Sequence, residues 1–539
     1  MPAKAITRLL NLNYNDTKSI NLVLFLFYPK VIFISIYFKY LFTLLSELHK
    51  FQITKIIENN SDPKEDPFNA LVGHLGKWQL GIFIPIIFVK LSSGWVQFMI
   101  LFLTPKANYW CVDGVPNGTI GENNTCYKDC VSYEYDTSPF ENTIISEWGL
   151  ICEKGWLASF TQTMLQFGVL IGSIFFGFLS DRYGRKYTFL SSVILLIIFG
   201  LLLPFSTNYI YFTVYRFFLG LAVAGTMVVS FVIVVETIGS KYIEVAGCLY
   251  HIPFILGHLT IPLFAYYLRN WSDYTLGLAI PPILYLCYFF IINESPRWLM
   301  SVGKVDEAVS IVTKAAKLNN LPTENIVEAV TKISKDIQNN KTMEPKRNYL
   351  DLFRTPSLRL RTIICSLIWF ISGLSFFGVN QYISQTSPNP FISVVAAAIP
   401  SNLLSMWLIK KLGRKLCIIL FLVIGGLCML VLGWIPDRFT LTFVIGTLGV
   451  CAIAIVCTAI YIYSSELFPT VVRNMGLGLM STFMRAGSML APFISNLTFV
   501  PWFPTLVFGI TPLLAACACC FLPETKGKKL PDTMNDIED

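Results

Sequence analysis

The sequence predicts an all-α membrane protein whose twelve membrane-spanning helices form two six-helix halves. Hydrophobic residues make up 54% of the 539 residues and charged residues only 14%, whereas soluble domains carry about 25% charged residues. Apolar runs of about 20 residues, long enough to cross a hydrocarbon core, recur along the chain. We place spans one to twelve at 77–104, 157–180, 188–206, 209–238, 245–268, 274–293, 362–384, 389–409, 416–434, 439–465, 474–497 and 501–522.

Basic residues follow the even-numbered spans. Arg182, Arg185 and Lys186 come after span two, and Arg414 and Lys415 come after span eight. Because an excess of lysine and arginine marks cytoplasmic loops, every even-numbered span is predicted to end in the cytoplasm.

The polar loop 105–156, between spans one and two, has features typical of the extracytoplasmic side of the membrane. It holds glycosylation sequons at Asn117 and Asn123 and four of the 14 cysteines. Cysteines that can oxidise beside such sequons indicate an extracytoplasmic loop, in agreement with the charge pattern. Four cysteines allow three pairings, among which the sequence does not choose. They are Cys111, Cys126, Cys130 and Cys152.

The N-terminal segment 1–63 fits the pattern less well. Residues 20–48 are very apolar but include Lys30 and Lys39. An interfacial helix would keep both termini in the cytoplasm, whereas a thirteenth span would place Met1 outside; we favour the interfacial helix. The remaining parts are the N-terminal half 64–293, a cytoplasmic linker 294–361 with short helices, the C-terminal half 362–522 and a cytoplasmic tail 523–539.

The two halves repeat one another. Three pairs of residues at the ends of corresponding spans are separated by nearly the same number of positions. This shared separation predicts two parallel six-helix repeats. This is the arrangement of major facilitator transporters, with a solute site near the midplane. The pairs, each about 230 positions apart, are Gly184 and Gly413, Glu236 and Glu466, and Glu294 and Glu524.

Acids and bases recur at the cytoplasmic ends of both halves. We expect charge pairs across the halves to hold this side shut when the other side is open; the alternative is that these charges only orient the helices. The predicted gate residues are Asp181, Arg182, Arg185, Glu236, Glu294, Arg297, Arg414, Glu466 and Arg473.

Several motifs resemble a known family. GFLSDRYGRK (177–186) and YRFFLG (215–220) resemble motifs of the major facilitator superfamily. EWGLICE (147–153), ESPRWL (294–299) and ELFPTVVRN (466–474) are similar to those of the organic cation, anion and carnitine transporters of solute carrier family 22. The resemblance covers about 66–528. It implies plasma-membrane location, a disulfide-bonded first loop, and transport of charged organic solutes without ATP hydrolysis.

The chain departs from that family in places. Its first loop holds four cysteines where members often have six, which leaves oligomer contacts through this loop open. Anion-transporting members often carry lysines where this chain has Asn402 and Val450. Cation-transporting members often carry an aspartate where it has Arg485, an arginine shared with the anion and carnitine branches.

Three cations lie inside predicted spans, and no acid lies equally deep. Arg216, about two turns into span four, could help a solute gate or bond nearby carbonyls, whereas Lys90 in span one and Arg485 in span eleven are candidates for the solute site. Such charges usually face a wet cavity, so an anionic or zwitterionic solute is favoured. The alternatives are that Lys90 reaches the interface and that Arg485 binds carbonyl groups. Aromatic walls also suit quaternary ammonium groups, which keeps a carnitine-like zwitterion or a cation open. Further candidates for the solute site are Trp369, Phe376, Phe377, Asn380, Gln381, Tyr461 and Tyr463.

The sequence offers little material for an enzyme. It has only four histidines, and it contains no His-Glu-x-x-His, Gly-x-Ser-x-Gly or phosphate-binding glycine loop. We therefore expect that the protein is not an enzyme and has no cofactor, metal or nucleic-acid partner. Its expected partners are a small organic ion, the lipid bilayer and a co-transported or exchanged ion. A solute sensor with this fold is the rival interpretation, and the oligomeric state is left open.

Overall fold

The computed structural model of the chain describes residues 67–105, 108–113, 122–138, 140–343, 349–386, 408–409, 411–434, 439–469, 472–497 and 502–526. Asn117, Asn402, the N-terminal apolar segment and nearly all of span eight lie outside the described residues.

The N-terminal half contains spans one to six. Span six is divided by a 3-10 turn that begins at Pro281 and Pro282, because proline removes a backbone donor from the helix. The helices are Lys77–Phe98 with Ile100–Leu103, Trp156–Tyr183, Arg185–Leu202, Tyr209–Thr237, Ile243–Tyr267, and Trp271–Ala279 with Pro281–Cys287 and Tyr288–Ile291.

In the C-terminal half, the structure describes spans seven and nine to twelve. In the described part of the chain, ten helices are long and apolar enough to cross a membrane, and Phe503–Cys519 is a shorter apolar helix. These eleven coincide with the predicted spans other than span eight. The helices of this half are Pro356–Thr386, Arg414–Leu432, Phe439–Leu467, Arg473–Ser495 and Phe503–Cys519.

Short helices lie outside the spans. Asn319 ties the linker to span one, because its side-chain oxygen accepts from the backbone N–H of Trp78 at 3.0 Å and its amide donates to the Gln79 side chain at 2.8 Å. The linker contains Pro296–Ser301, Val305–Leu318, Ile326–Met343 and the 3-10 turn Tyr349–Phe353, and the helix Pro67–Val72 precedes span one.

The loop after span one is a disulfide-bonded hairpin. Strands β1 (Tyr109–Asp113) and β2 (Ser132–Tyr135) pair antiparallel. Farther along the loop, the Asn142 carbonyl accepts the Trp271 N–H at 3.0 Å at the start of span six. We call the side of the molecule with this hairpin the disulfide side, and the opposite side the basic side. Of the three pairings, the structure has Cys111 with Cys130 and Cys126 with Cys152.

Glycines bring pairs of spans into close contact in both halves. A β-carbon at Gly94 of span one would lie 2.4 Å from the Phe254 carbonyl oxygen of span five. A β-carbon at Gly487 of span eleven would lie 2.0 Å from the Phe370 carbonyl oxygen of span seven. Only a residue without a side chain allows backbones to approach this closely. Because the two cations of the predicted solute site lie near these glycines on the same helices, the contacts fix the backbone beside both cations.

We expect Gly184→Ala to destabilise the protein and Gly177→Ala, in the same motif, to leave it nearly unchanged. Gly184 has φ 101°, and a β-carbon there would lie 2.4 Å from Oε2 of Glu294, whereas at Gly177 nothing lies within 4 Å. Backbone strain of this kind is worth about 1–3 kcal/mol. Thermal unfolding of the purified protein measures the difference, and equal midpoints for the two variants would contradict the strained turn.

Candidate functional site

The charged residues on the basic side form ion pairs within each half. In the N-terminal half, Arg185 contacts Glu236 at 2.7 Å and Asp181 at 3.1 Å. At the corresponding place in the C-terminal half, Arg414 contacts Glu466 at 2.9 Å. The repeat deduced from sequence offsets is therefore also a repeat of contacts.

A glutamate that directly follows the N-terminal half caps the turn between spans two and three. The Glu294 carboxylate accepts the backbone N–H of Arg185 at 2.7 Å and that of Lys186 at 3.2 Å. A carboxylate at a helix N-terminus is stabilised by the free N–H groups there. Glu294 therefore stabilises the turn at Gly184, the glycine that the internal repeat matches to Gly413.

Glu524 caps the corresponding turn of the C-terminal half. Its carboxylate accepts the backbone N–H groups of Arg414 and Lys415, at 3.1 Å each. Burial raises the pKa of this carboxyl, but hydrogen bonds from backbone N–H groups outweigh burial, and the pKa lies below its ordinary value. The cap is thus kept charged. The donors are Lys526, Arg414, Thr525 and Lys415.

The remaining predicted gate residues also contact their own half. The Arg297 side chain donates to the Glu236 carbonyl at 3.1 Å, and Arg473 donates to the Phe468 carbonyl at 3.3 Å. Arg182 lies over the ring of its neighbour in the sequence, a tyrosine. All of these contacts run within the halves, so the expected pairing across the halves stays a prediction for the opposite conformation.

On the disulfide side, the two halves are hydrogen-bonded to each other. Ser159 of span two donates to the Pro492 carbonyl of span eleven at 2.9 Å. Thr163 donates to the Met489 carbonyl at 2.7 Å, and the Asn496 amide donates to the Ser159 hydroxyl at 2.7 Å. Spans two and eleven are therefore closed against each other at this end.

An aromatic cluster lies beneath this closed end. The Phe98 ring of span one stacks on His258 of span five at 3.9 Å between centroids. It also contacts Phe376 and Phe377 of span seven, each at 5.9 Å. The cluster therefore joins rings from both halves, about two turns of span one from Lys90.

Lys90 is held near the midplane of the N-terminal half. Its ammonium lies 4.4 Å from the centroid of the Tyr250 ring, and the residue is only 4% exposed. The Tyr250 hydroxyl donates to the Met227 carbonyl at 2.9 Å and lies 2.5 Å from the Ser230 hydroxyl. The ring is thus fixed beneath the ammonium in a cation–π contact.

Arg485 of span eleven is the second cation of the predicted solute site. It lies within electrostatic range of Lys90 and also interacts with the Tyr461 hydroxyl. Tyr461 is 44% exposed although it lies within span ten, and its ring centroid is 4.4 Å from that of Trp369. Tyr461 is therefore a candidate for the wall of the predicted solute cavity.

The other predicted solute-site residues lie in different surroundings. Asn380 donates to the Phe376 carbonyl at 2.6 Å. Gln381 is buried, and its side-chain nitrogen has no partner among the described residues. Trp369 is fully buried and donates to Ser464 at 2.8 Å, so it supports the exposed tyrosine of span ten from behind.

Tyr463 lies in different surroundings from Tyr461. Its ring is fully buried, and its hydroxyl donates to the Pro523 carbonyl at 2.6 Å. Residues two positions apart on a helix point to different faces, so Tyr461 and Tyr463 do not line one wall together.

Tyr250, Phe98 and His251 were not among the solute-site residues predicted from the sequence. His251 is exposed within span five and lies within electrostatic range of Lys90. The signal that could have found this face is Gly257, the glycine at which span five approaches span one. Helical periodicity places residues 250 and 257 on one face.

Comparisons with known proteins give the family. The model of the family described as sugar (and other) transporter matches residues 113–536. An organic cation transporter protein of Drosophila melanogaster is 33% identical over 446 residues, which cover 80% of this chain and 81% of that protein. Human solute carrier family 22 member 13 is 30% identical over 510 residues, or 93% of this chain and 87% of the relative. The chain belongs to solute carrier family 22 of the major facilitator superfamily.

Further similarities agree with this assignment. The transporter is 31% identical to human organic cation/carnitine transporter 2 over 445 residues, 81% of this chain and 79% of the relative. Its fold is similar to the inward-open conformation of the xylose transporter XylE from E. coli, with a TM-score of 0.62 and 18% identity over 84% of this chain and 98% of the other. The predicted twelve-span fold is confirmed, and the protein is a multi-pass membrane transporter for a small organic solute, not an enzyme.

Proposed function

We propose that the transporter carries small organic carboxylates, anionic or zwitterionic, across the plasma membrane by alternating access. The observation that carries this proposal is the pair of midplane cations, Lys90 and Arg485, one from each half. A carboxylate placed between them would bind both through charge-assisted hydrogen bonds. Binding would also relieve the repulsion between two like charges, which no acid equally deep in a span offsets.

The closed disulfide side supports a cycle of this kind. With the outer ends of spans two and eleven bonded, the solute would leave toward the basic side, which we assign to the cytoplasm together with both termini. In the opposite conformation the bonds on the disulfide side would break, and the gate charges on the basic side would pair across the halves. Asn117 and Asn123 are proposed as glycosylation acceptors on the outer loop.

An organic cation is the second candidate. The exposed ring of Tyr461, together with the Phe376 and Phe377 pair, offers aromatic faces that suit a quaternary ammonium group. A zwitterion would use both features at once, with its carboxylate at the two cations and its ammonium at the rings. Relatives named as organic cation and organic cation/carnitine transporters favour keeping this candidate.

Counterflow into proteoliposomes tests the proposal. Vesicles that contain the purified transporter and a high internal concentration of unlabelled solute are supplied with the same solute in labelled form. Three solutes are compared, with and without sodium: a urate-like anion, carnitine and tetraethylammonium. We expect label to accumulate for the anion, the zwitterion or both. Accumulation of tetraethylammonium alone would replace the proposal by the second candidate, and binding without accumulation of any solute would indicate a sensor.

A further inference from the structure

A third cation lies in the membrane-spanning part, away from the two at the midplane. Arg216 of span four is fully buried, and its Nη2 donates to the side-chain oxygen of Gln162 in span two. The other two nitrogens of the guanidinium, Nε and Nη1, have no partner among the described residues. A guanidinium stays charged at physiological pH, so this group has both an uncompensated charge and unused donors.

The groups around Arg216 are neutral. The hydroxyls of Tyr209 and Tyr274 interact with it electrostatically, and the Phe212 ring centroid lies 5.9 Å from the guanidinium carbon. The Tyr209 hydroxyl donates to the Leu157 carbonyl at 2.9 Å, so its oxygen offers a dipole but not a charge. Burial of a charge without an opposite charge is unfavourable, even where dipoles lie near it.

Acids on the elements packed around this arginine do not supply the missing charge. Asp273 is the residue before Tyr274 but is exposed at the start of span six. Glu147, beside the tryptophan that packs on Phe212, is also exposed and accepts a hydrogen bond from the Asn142 amide. Glu236 belongs to the same helix as Arg216 but lies about 30 Å farther along it, at roughly 1.5 Å per residue, where it pairs with an arginine of the basic side.

We propose that Arg216 binds a small inorganic anion, chloride in physiological media, inside the N-terminal half. The free Nε–H and Nη1–H groups would donate to the anion, which would supply the charge that the described residues lack at this place. Because the free nitrogens are buried, the ion would reach them only through local rearrangement of the neighbouring side chains, which restricts the ligand to a small ion. The organic solute has no part in this site.

Thermal unfolding of the purified full-length protein tests the chloride site. The midpoint is measured in sodium chloride and in sodium gluconate at equal ionic strength. A ligand that binds only the folded state raises its stability. We expect chloride to raise the midpoint of the wild type by about 2 °C or more at saturation, Arg216→Gln to lose the chloride dependence, and Arg485→Gln to keep it.

Three outcomes would overturn the chloride site. The wild type could show equal midpoints in the two salts, Arg216→Gln could retain the chloride effect, or Arg485→Gln could lose it. Because Arg216→Gln changes a fully buried side chain and can impair folding, equilibrium binding of radioactive chloride to the wild type and to Arg216→Lys gives a second measurement. We expect saturable binding to the wild type and binding weaker by about tenfold or more to Arg216→Lys, which lacks the fork of donors; equal binding would again reject the site.

Discussion

Exchange of Arg485 for aspartate should sharply reduce uptake of carboxylate solutes while leaving the protein folded at the membrane. Loss of one partner from a buried, hydrogen-bonded charge pair is worth about 2–5 kcal/mol, and each 1.4 kcal/mol is about tenfold in affinity. Uptake at low solute concentration should therefore fall between about 30-fold and a few thousand-fold. Initial rates of labelled uptake, normalised to the amount of transporter in the membrane, measure the effect.

Two further variants separate the role of Arg485 from a general effect of charge. Arg485→Lys keeps the charge but removes the planar fork of donors, so we expect an intermediate loss. Lys314→Gln removes an exposed charge from the linker helix Val305–Leu318 and should leave uptake unchanged. Carboxylate uptake by Arg485→Asp at the wild-type rate would refute the assignment of the solute site.

Neutralisation of Lys90 should change how the transporter returns when it is empty. Lys90 and Arg485 repel each other across the halves unless an anion lies between them. The empty carrier must therefore bring two like charges together whenever the cavity closes, and we expect exchange of solutes to be faster than net transport. Lys90→Gln removes this repulsion, so we expect the empty transporter to return faster. If the barrier to this return step falls by about 1.4 kcal/mol, the step becomes about tenfold faster.

Efflux of preloaded label measures this effect, with and without unlabelled solute on the opposite side. We expect opposite-side solute to accelerate efflux strongly in the wild type and much less in Lys90→Gln, which should also bind the solute more weakly. Tyr250→Phe is the matched control, because it keeps the aromatic ring beneath the ammonium and loses only the hydroxyl. An acceleration ratio that is the same in Lys90→Gln and in the wild type would show that the two charges do not govern the return step.

The spans and the repeat could be predicted because both depend on local patterns. An apolar run of sufficient length can hardly be anything but a membrane span in this composition. Gly184 and Gly413 both have positive φ, at 101° and 95°, so the matching glycines reflect matching turns. Glu294 and Glu524 likewise cap corresponding helix N-termini.

The partners of the charges could not be predicted in the same way. Glu236 and Glu466 were expected to act across the halves, and in this conformation they pair with Arg185 and Arg414 of their own halves. A sequence offset shows that residues occupy equivalent positions, but it does not show which neighbour a flexible side chain meets. That choice depends on helix packing and on the conformation of the carrier.

The candidate residues of the solute site differ in how easily a sequence reveals them. Lys90 and Arg485 are readily picked out because a charge inside an apolar span is conspicuous in any sequence. Tyr250 was missed since an aromatic residue in a membrane helix has no such contrast, and its position under Lys90 depends on how spans one and five cross. The orientation of Tyr461 and Tyr463 also required the bundle itself, because both faces of span ten are apolar.

The hairpin on the disulfide side has a consequence for motion and for experiments on intact cells. Its chain leaves span one, is bonded through Cys152 just before span two, and is tied to span six by the contact between Asn142 and Trp271. All three attachments belong to the N-terminal half. A fluorophore or antibody fragment attached at the exposed Val131 would therefore move together with the N-terminal half. The distance between this label and a second label on the C-terminal half would change each time the transporter switches conformation.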